Sequence, residues 1–126
     1  MKTIRIKAGL GGFTLVEIMI VVAIIGLLAA VAIPNFVKAR ATSQSNACIN
    51  NLRQLDTAVQ QFAFERNKHV GDTVNYPDDL TPYIKLNSAG SIPPCPASGT
   101  YSIPPVGNNP SAVCSLGTTV TPAHIQ

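Results

Sequence analysis

Tryptophan is absent, aromatic residues make up only 6% and charged residues only 12% of the 126-residue chain. With few rings and no basic cluster outside its first residues, the sequence lacks the footprint of positive charge interleaved with stacking groups that marks a nucleic-acid binder. Carboxylates are scarce too. Asp72, Asp78 and Asp79 are the last of them, and the final 47 residues hold none, whereas calcium takes roughly six to eight oxygens, several from carboxylates. The two histidines stand alone, His69 in a loop-rich stretch and His124 beside the C-terminus, so no nucleophile has an evident base. Asp78-Asp79 reads as a helix start rather than an acid/base pair. A chain this short supports one small domain and excludes a deep-cleft enzyme; no catalytic residue and no cofactor are expected.

What the chain has is concentrated at one end. Lys2, Arg5 and Lys7 make the first twelve residues +3, and the remainder balances six basic against six acidic side chains. Phe13 to Ile33 follows, 21 residues with a single charge, Glu17. As a helix it spans about 32 Å, close to the ~30 Å hydrocarbon thickness of a bilayer. Ile18 to Ile33 shows no polar face, unlike a helix of a soluble core. Basic residues before an apolar stretch place the N-terminus in the cytoplasm and the rest of the chain outside. Three fates are open to the stretch: a permanent anchor, a secretory signal removed after Ala30-Val31-Ala32, or a segment cut before it, after Gly11-Gly12.

Glu17 discriminates among these. A carboxylate near the middle of a membrane helix costs ~2.5–3.5 kcal/mol and normally meets a cation. Cleavage between Gly12 and Phe13 would create one, the α-amine of Phe13, one helical turn from Glu17 on the same chain and equally able to meet Glu17 of a neighbour. The bland alternative is that Glu17, five residues into the segment, lies near the membrane surface and reaches water.

Gly11-Gly12-Phe13-Thr14-Leu15-Val16-Glu17-Ile18 resembles the prepilin cleavage and N-methylation motif of type IV pilins and type II secretion pseudopilins, and the resemblance continues from Val21 to Phe36. It implies that a prepilin peptidase cuts after Gly12 and methylates the amine of Phe13, and that Glu17 serves filament assembly. It implies partners as well: identical or related subunits in a helical filament, an inner-membrane assembly platform, and the lipid bilayer before assembly. It also makes Gly26 to Pro34 a segment where the helix loosens in filaments. Pro34 gives this a local reason, because it lacks an N–H and its ring opposes the carbonyl of Ala30, which predicts a kink.

Beyond Pro34, Cys48, Leu52, Leu55, Val59 and Phe62 recur at spacings of four, three, four and three, one apolar stripe on a helix. Arg40, Asn46, Asn50, Arg53, Gln60 and Gln61 fall off it. From Asn67 the composition turns to Pro, Gly, Ser, Asn and Thr, with nine of the ten prolines between Tyr76 and His124. Thr100–Ile103 and Ala112–Leu116 are strand candidates, and Asp78 to Ile84 a short helical turn capped by an aspartate. Too apolar-poor to fold alone, this head is expected to lay Tyr76, Leu80, Tyr83, Ile84, Tyr101, Ile103 and Val113 on the stripe. Of the three cysteines, Cys95 and Cys114 are the favoured disulfide, with Cys48 buried on the helix; pairing of Cys48 with either stays open. A zinc site of three Cys with His69 or His124 is the sharper alternative, without a C-x-x-C pair to support it.

The resulting expectation is a pilin-like α+β protein: leader 1–12, transmembrane or filament-core helix 13–36, amphipathic helix 37–66, and a small Pro/Gly-rich head 67–126. Its function is that of a filament subunit held in the inner membrane until assembly. The mature length, 126 − 12 = 114 residues, favours a type II secretion pseudopilin, with a type IV pilin as the alternative. An exported binding protein whose soluble part starts near Ile33 is the reading of a different class.

Overall fold

Thr14 begins the principal helix of the computed structural model: the Glu17 N–H donates to Thr14 Oγ1 at 3.2 Å, a side-chain cap for one of the amides a helix leaves unpaired at its start. Helix α1 then runs from Leu15 to Glu65, helical through both Gly26 and Pro34. The structure describes residues 11–117, 123 and 125. Lys2, Arg5, Lys7 and His124, which figure in the sequence reading, lie outside them.

The helix ends for a local reason. Asn67 takes a left-handed φ of 49°, the Asn67 N–H turns back to Phe64 O at 3.4 Å, and the Lys68 N–H reaches Ala63 O at 2.9 Å. That pair of bonds is the Schellman arrangement, in which Asn tolerates the conformation that β-branched residues resist. The composition shift at Asn67 is therefore a structural boundary.

The chain divides into two units, Met1–Phe36 and Val37–Gln126. In the first, α1 is long and apolar enough to cross a membrane, and none of its most apolar 18-residue stretch is buried. In the second, the apolar stripe is the floor of the core. Cys48, Leu52, Leu55, Val59 and Phe62 are all buried, with Ser45 and Ala58 added on the same face, while Arg40, Asn46, Asn50, Arg53, Gln60 and Gln61 are exposed.

Irregular chain covers this floor. Leu80, Tyr101, Val74, Ile92, Cys95, Ala112 and Cys114 are buried against it, and Tyr83, Ile84 and Ile103 pack at its margin. Tyr76 and Val113, expected in the core, are each 37% exposed. For Val113 the cause is the two-residue period of a strand: it is Cys114 that turns inward. Strand β1 (Tyr101–Ser102) pairs antiparallel with β2 (Val113–Cys114), Tyr101 opposite Cys114 and Ser102 opposite Val113. One more rung follows, the Ser115 N–H to Thr100 O at 2.8 Å.

The aspartate-capped helical turn requires correction. A 3-10 turn forms at Thr81–Tyr83, but Leu80 stands at its cap without a side-chain bond. Asp79 instead accepts the Asn75 N–H at 2.9 Å, closing the turn upstream. Pro82 sits in the first positions of the turn, where its missing N–H costs nothing, and the turn ends because Ile84 takes extended backbone, φ −123° and ψ 146°.

Candidate functional site

Gly11, Gly12 and Phe13 precede α1, exposed and outside regular structure, and no heavy atom beyond their chain neighbours lies within 4 Å of where a Gly12 side chain would be. The segment is thus presented as an accessible strand of backbone immediately before a helix cap. Glu17 stands in the first turn, where the helix dipole favours an anion. Its backbone N–H serves the Thr14 cap, which leaves the carboxylate out of that bond. Gly26 faces open space on α1, and Pro34 lies within the same helix, where α1 carries Ile33, Phe36 and Val37 fully outward.

The cysteines form the second locus. Cys48 comes from α1, Cys95 from a loop and Cys114 from β2, and the three sulfurs all lie within 4.8 Å of one another. They are 0%, 4% and 5% exposed. The sequence favours Cys95 with Cys114 and leaves pairing of Cys48 with either open; the helix stripe and the strand period deliver all three to one point.

Polar groups surround the sulfurs. The Tyr101 hydroxyl donates to Cys48 Sγ at 3.7 Å, and Asn51 Nδ2 donates to Tyr101 Oη at 3.1 Å. Burial, reinforced by the neighbouring Cys95 and Cys114 thiols, pushes Cys48 up to about 12, and burial likewise raises the Tyr101 phenol. At Cys95 burial also opposes ionisation, but the backbone N–H groups of Ala97 and Gly99, with the Cys48 thiol, outweigh it and hold Cys95 below the ordinary thiol value. The turn that aims those amides is closed by the Ser98 N–H on Cys95 O at 3.0 Å, with Ser98 in the left-handed region at φ 65°.

Gly99 is required by this packing. A methyl built there would stand 2.6 Å from Cys114 Sγ and 3.1 Å from Leu116 Cδ1. Gly99→Ala is expected to destabilise the chain by about 1–3 kcal/mol, the usual cost of overpacking, read as a lowered midpoint in thermal denaturation of the full chain in detergent.

Three residues unremarked in the sequence tie the loops to α1. Asn51 Nδ2 also reaches Pro94 O at 3.3 Å, Gln44 Nε2 donates to Pro96 O at 3.3 Å, and the buried Ser45 hydroxyl donates to Ala123 O at 2.7 Å. Their signal was available: Ser45 and Asn51 stand three residues to either side of Cys48, one turn away and beside the stripe. A surface depression of about 600 Å³ is lined by Asp56, Gln60, Asn108, Asn109 and Ser111 among others. Asp56 there accepts from Gln60 Nε2 at 3.1 Å, and Ser111 Oγ donates to Asn108 O, so its polar groups bond to one another. His69 is exposed in a turn, its N–H bonded to Asp72.

Comparison with known proteins finds a family motif over the exposed segment and the start of α1, and several relatives. The prokaryotic N-terminal methylation motif matches residues 11–33. The type IV major pilin protein PilA of Myxococcus xanthus (strain DK1622) is 48% identical over 69 residues, 55% of this chain and 31% of that protein. A type IV major fimbrial protein FimA of Dichelobacter nodosus is 46% identical over 57 residues, 45% of this chain and 36% of the relative. Fimbrial protein Q of Moraxella bovis is 46% identical over 80 residues, 63% and 49% of the two chains. The chain thus spans a third to a half of the length of these curated relatives. No solved structure matches it significantly.

Proposed function

We propose, from the premise that this chain is by its N-terminal segment a member of the type IV pilin and pseudopilin family, that it is a structural subunit of a pilus-like filament. The observation that carries the reading is the combination of an accessible Gly12-Phe13 bond, a capped helix start, one carboxylate in the first turn, and an apolar helix surface with nothing covering it. Exposed apolar area of that extent needs lipid or protein against it.

In this mechanism the precursor is held in the inner membrane by 13–36, with residues 1–12 in the cytoplasm and the head outside. Prepilin peptidase cuts after Gly12 and methylates the new amine of Phe13. At the assembly platform the apolar helices exchange lipid for one another, and the Phe13 amine of an incoming subunit meets Glu17 of its neighbour. Each of those two charges is costly alone in an apolar setting, and pairing relieves both. Gly26 and Pro34 supply the points where α1 loosens as subunits pack.

Between the two family branches, the named relatives favour a type IV pilin, and the compact head keeps the type II secretion pseudopilin as the second reading. Filaments on the cell surface, against a secretion defect without surface filaments on deletion, separate them. The reading itself is tested by mass spectrometry of the mature N-terminus. A chain starting at N-methylated Phe13 is the expected result; a start at Met1 or at Ile33 overturns it, the latter in favour of an exported binding protein.

A further inference from the structure

The thiol cluster in the head is unused by filament assembly and has the composition of a ligand set. Three segments distant in sequence, α1, the loop at Cys95 and β2, bring three sulfurs within 4.8 Å of one another under near-complete burial. Gly99 is kept bare where the backbone approaches Cys114 Sγ, and donors already point at two of the sulfurs: the amides of Ala97 and Gly99 at Cys95, and the Tyr101 hydroxyl at Cys48.

The number of sulfurs matters. A disulfide joins two and strands the third inside the core, whereas a coordinated cation uses all three. With metal–sulfur bonds of ~2.3 Å, three sulfurs in a plane around one ion stand about 4.0 Å apart, so no pair here has to close by more than roughly 0.8 Å. Among the described residues the group contains no imidazole or carboxylate. Soft thiolates suit monovalent copper, zinc and iron–sulfur clusters alike, but structural zinc takes four ligands almost without exception, and the described residues offer three.

We propose that Cys48, Cys95 and Cys114 form a three-sulfur site for a single soft cation, Cu(I). Binding displaces the thiol protons to solvent and leaves the oxidation state of copper and sulfur unchanged. The site ties the Cys95 loop and β2 to α1, so loading stabilises the head.

The test uses the full chain in detergent, reduced, freed of reductant under anaerobic conditions and titrated with Cu(I) supplied as its acetonitrile complex. Saturation at one ion per chain, an ultraviolet sulfur-to-copper charge-transfer band and an X-ray absorption shell of three sulfurs are expected. Cys48→Ser should reduce that shell to two sulfurs and weaken binding at least tenfold. The absorption measurement on the unsubstituted chain needs no variant to fold, and a shell with fewer than three sulfurs overturns the proposal. So does preferential retention of Zn(II) in direct competition. Isolation of the protein without reductant as a metal-free Cys95–Cys114 disulfide overturns it as well. None of these outcomes bears on whether the chain starts at Phe13 or polymerises.

Discussion

Glu17→Ala is expected to abolish filaments while leaving cleavage after Gly12 and membrane residence intact. The local structure predicts this separation. The Thr14 cap uses the Glu17 backbone N–H, which alanine retains, so the helix start loses only the carboxylate's interaction with the dipole, ~0.3–1 kcal/mol. In lipid the substitution is neutral or helps, since Glu17 lies five residues into the segment and a charge costs ~2.5–3.5 kcal/mol only at the bilayer centre, less toward the surface. Between packed subunits it harms, because losing one member of a buried pair leaves the Phe13 amine uncompensated, typically ~3–5 kcal/mol and so roughly a hundredfold to several thousandfold in affinity at each contact. Insertion is therefore spared while polymerisation is lost. Immunoblotting of membrane and sheared-filament fractions reads both, and normal filament yield would sink the pairing. Glu17→Gln keeps the size and loses the charge, so it should follow alanine.

The second large effect belongs to the core. Leu55 is 0% exposed at the middle of the stripe, between Leu52 and Val59, in the one core cluster shared with the loops and the two strands. Leu55→Ala removes buried methyls and leaves a cavity, which costs ~2–5 kcal/mol in well-packed proteins. Small domains have little stability to spare, commonly ~5–15 kcal/mol in total, and this one rests on a single helix face and a sheet of two-residue strands. The head of the variant is expected to unfold many degrees below that of the parent, measured by near-ultraviolet circular dichroism of the full chain, whose tyrosines lie in the head. The exposed apolar half of α1 should keep its helical signal in detergent. A change under 1 °C would show that Leu55 does not anchor the loops.

These two predictions draw on features of unequal legibility. The apolar half and the stripe were readable because periodicity is a property of neighbours in sequence: every expected stripe residue is buried, and the off-stripe polar residues are exposed. The strands lie inside the proposed segments for the same reason. What periodicity could not supply was the convergence of loops. Cys48 joins Cys95 and Cys114 because β2 turns Cys114 inward while the Asn51 amide and the Tyr101 hydroxyl hold neighbouring chain across α1. Such bonds link residues some fifty positions apart, and no local pattern announces them. Tyr76 was expected inside and stands partly in solvent, in the turn that Asp79 closes on Asn75. Gly12, Phe13 and Glu17 were legible as a motif, and their geometry adds that the capping bond and the carboxylate are independent.

The side chains of Gln44, Ser45 and Asn51 fasten the loops by their carbonyl oxygens, at Pro96, Ala123 and Pro94. Every amino acid brings the same carbonyl. The helix thus dictates the route of the covering chain without dictating its identity, so outward-facing loop positions can take other side chains while these anchoring bonds stay in place.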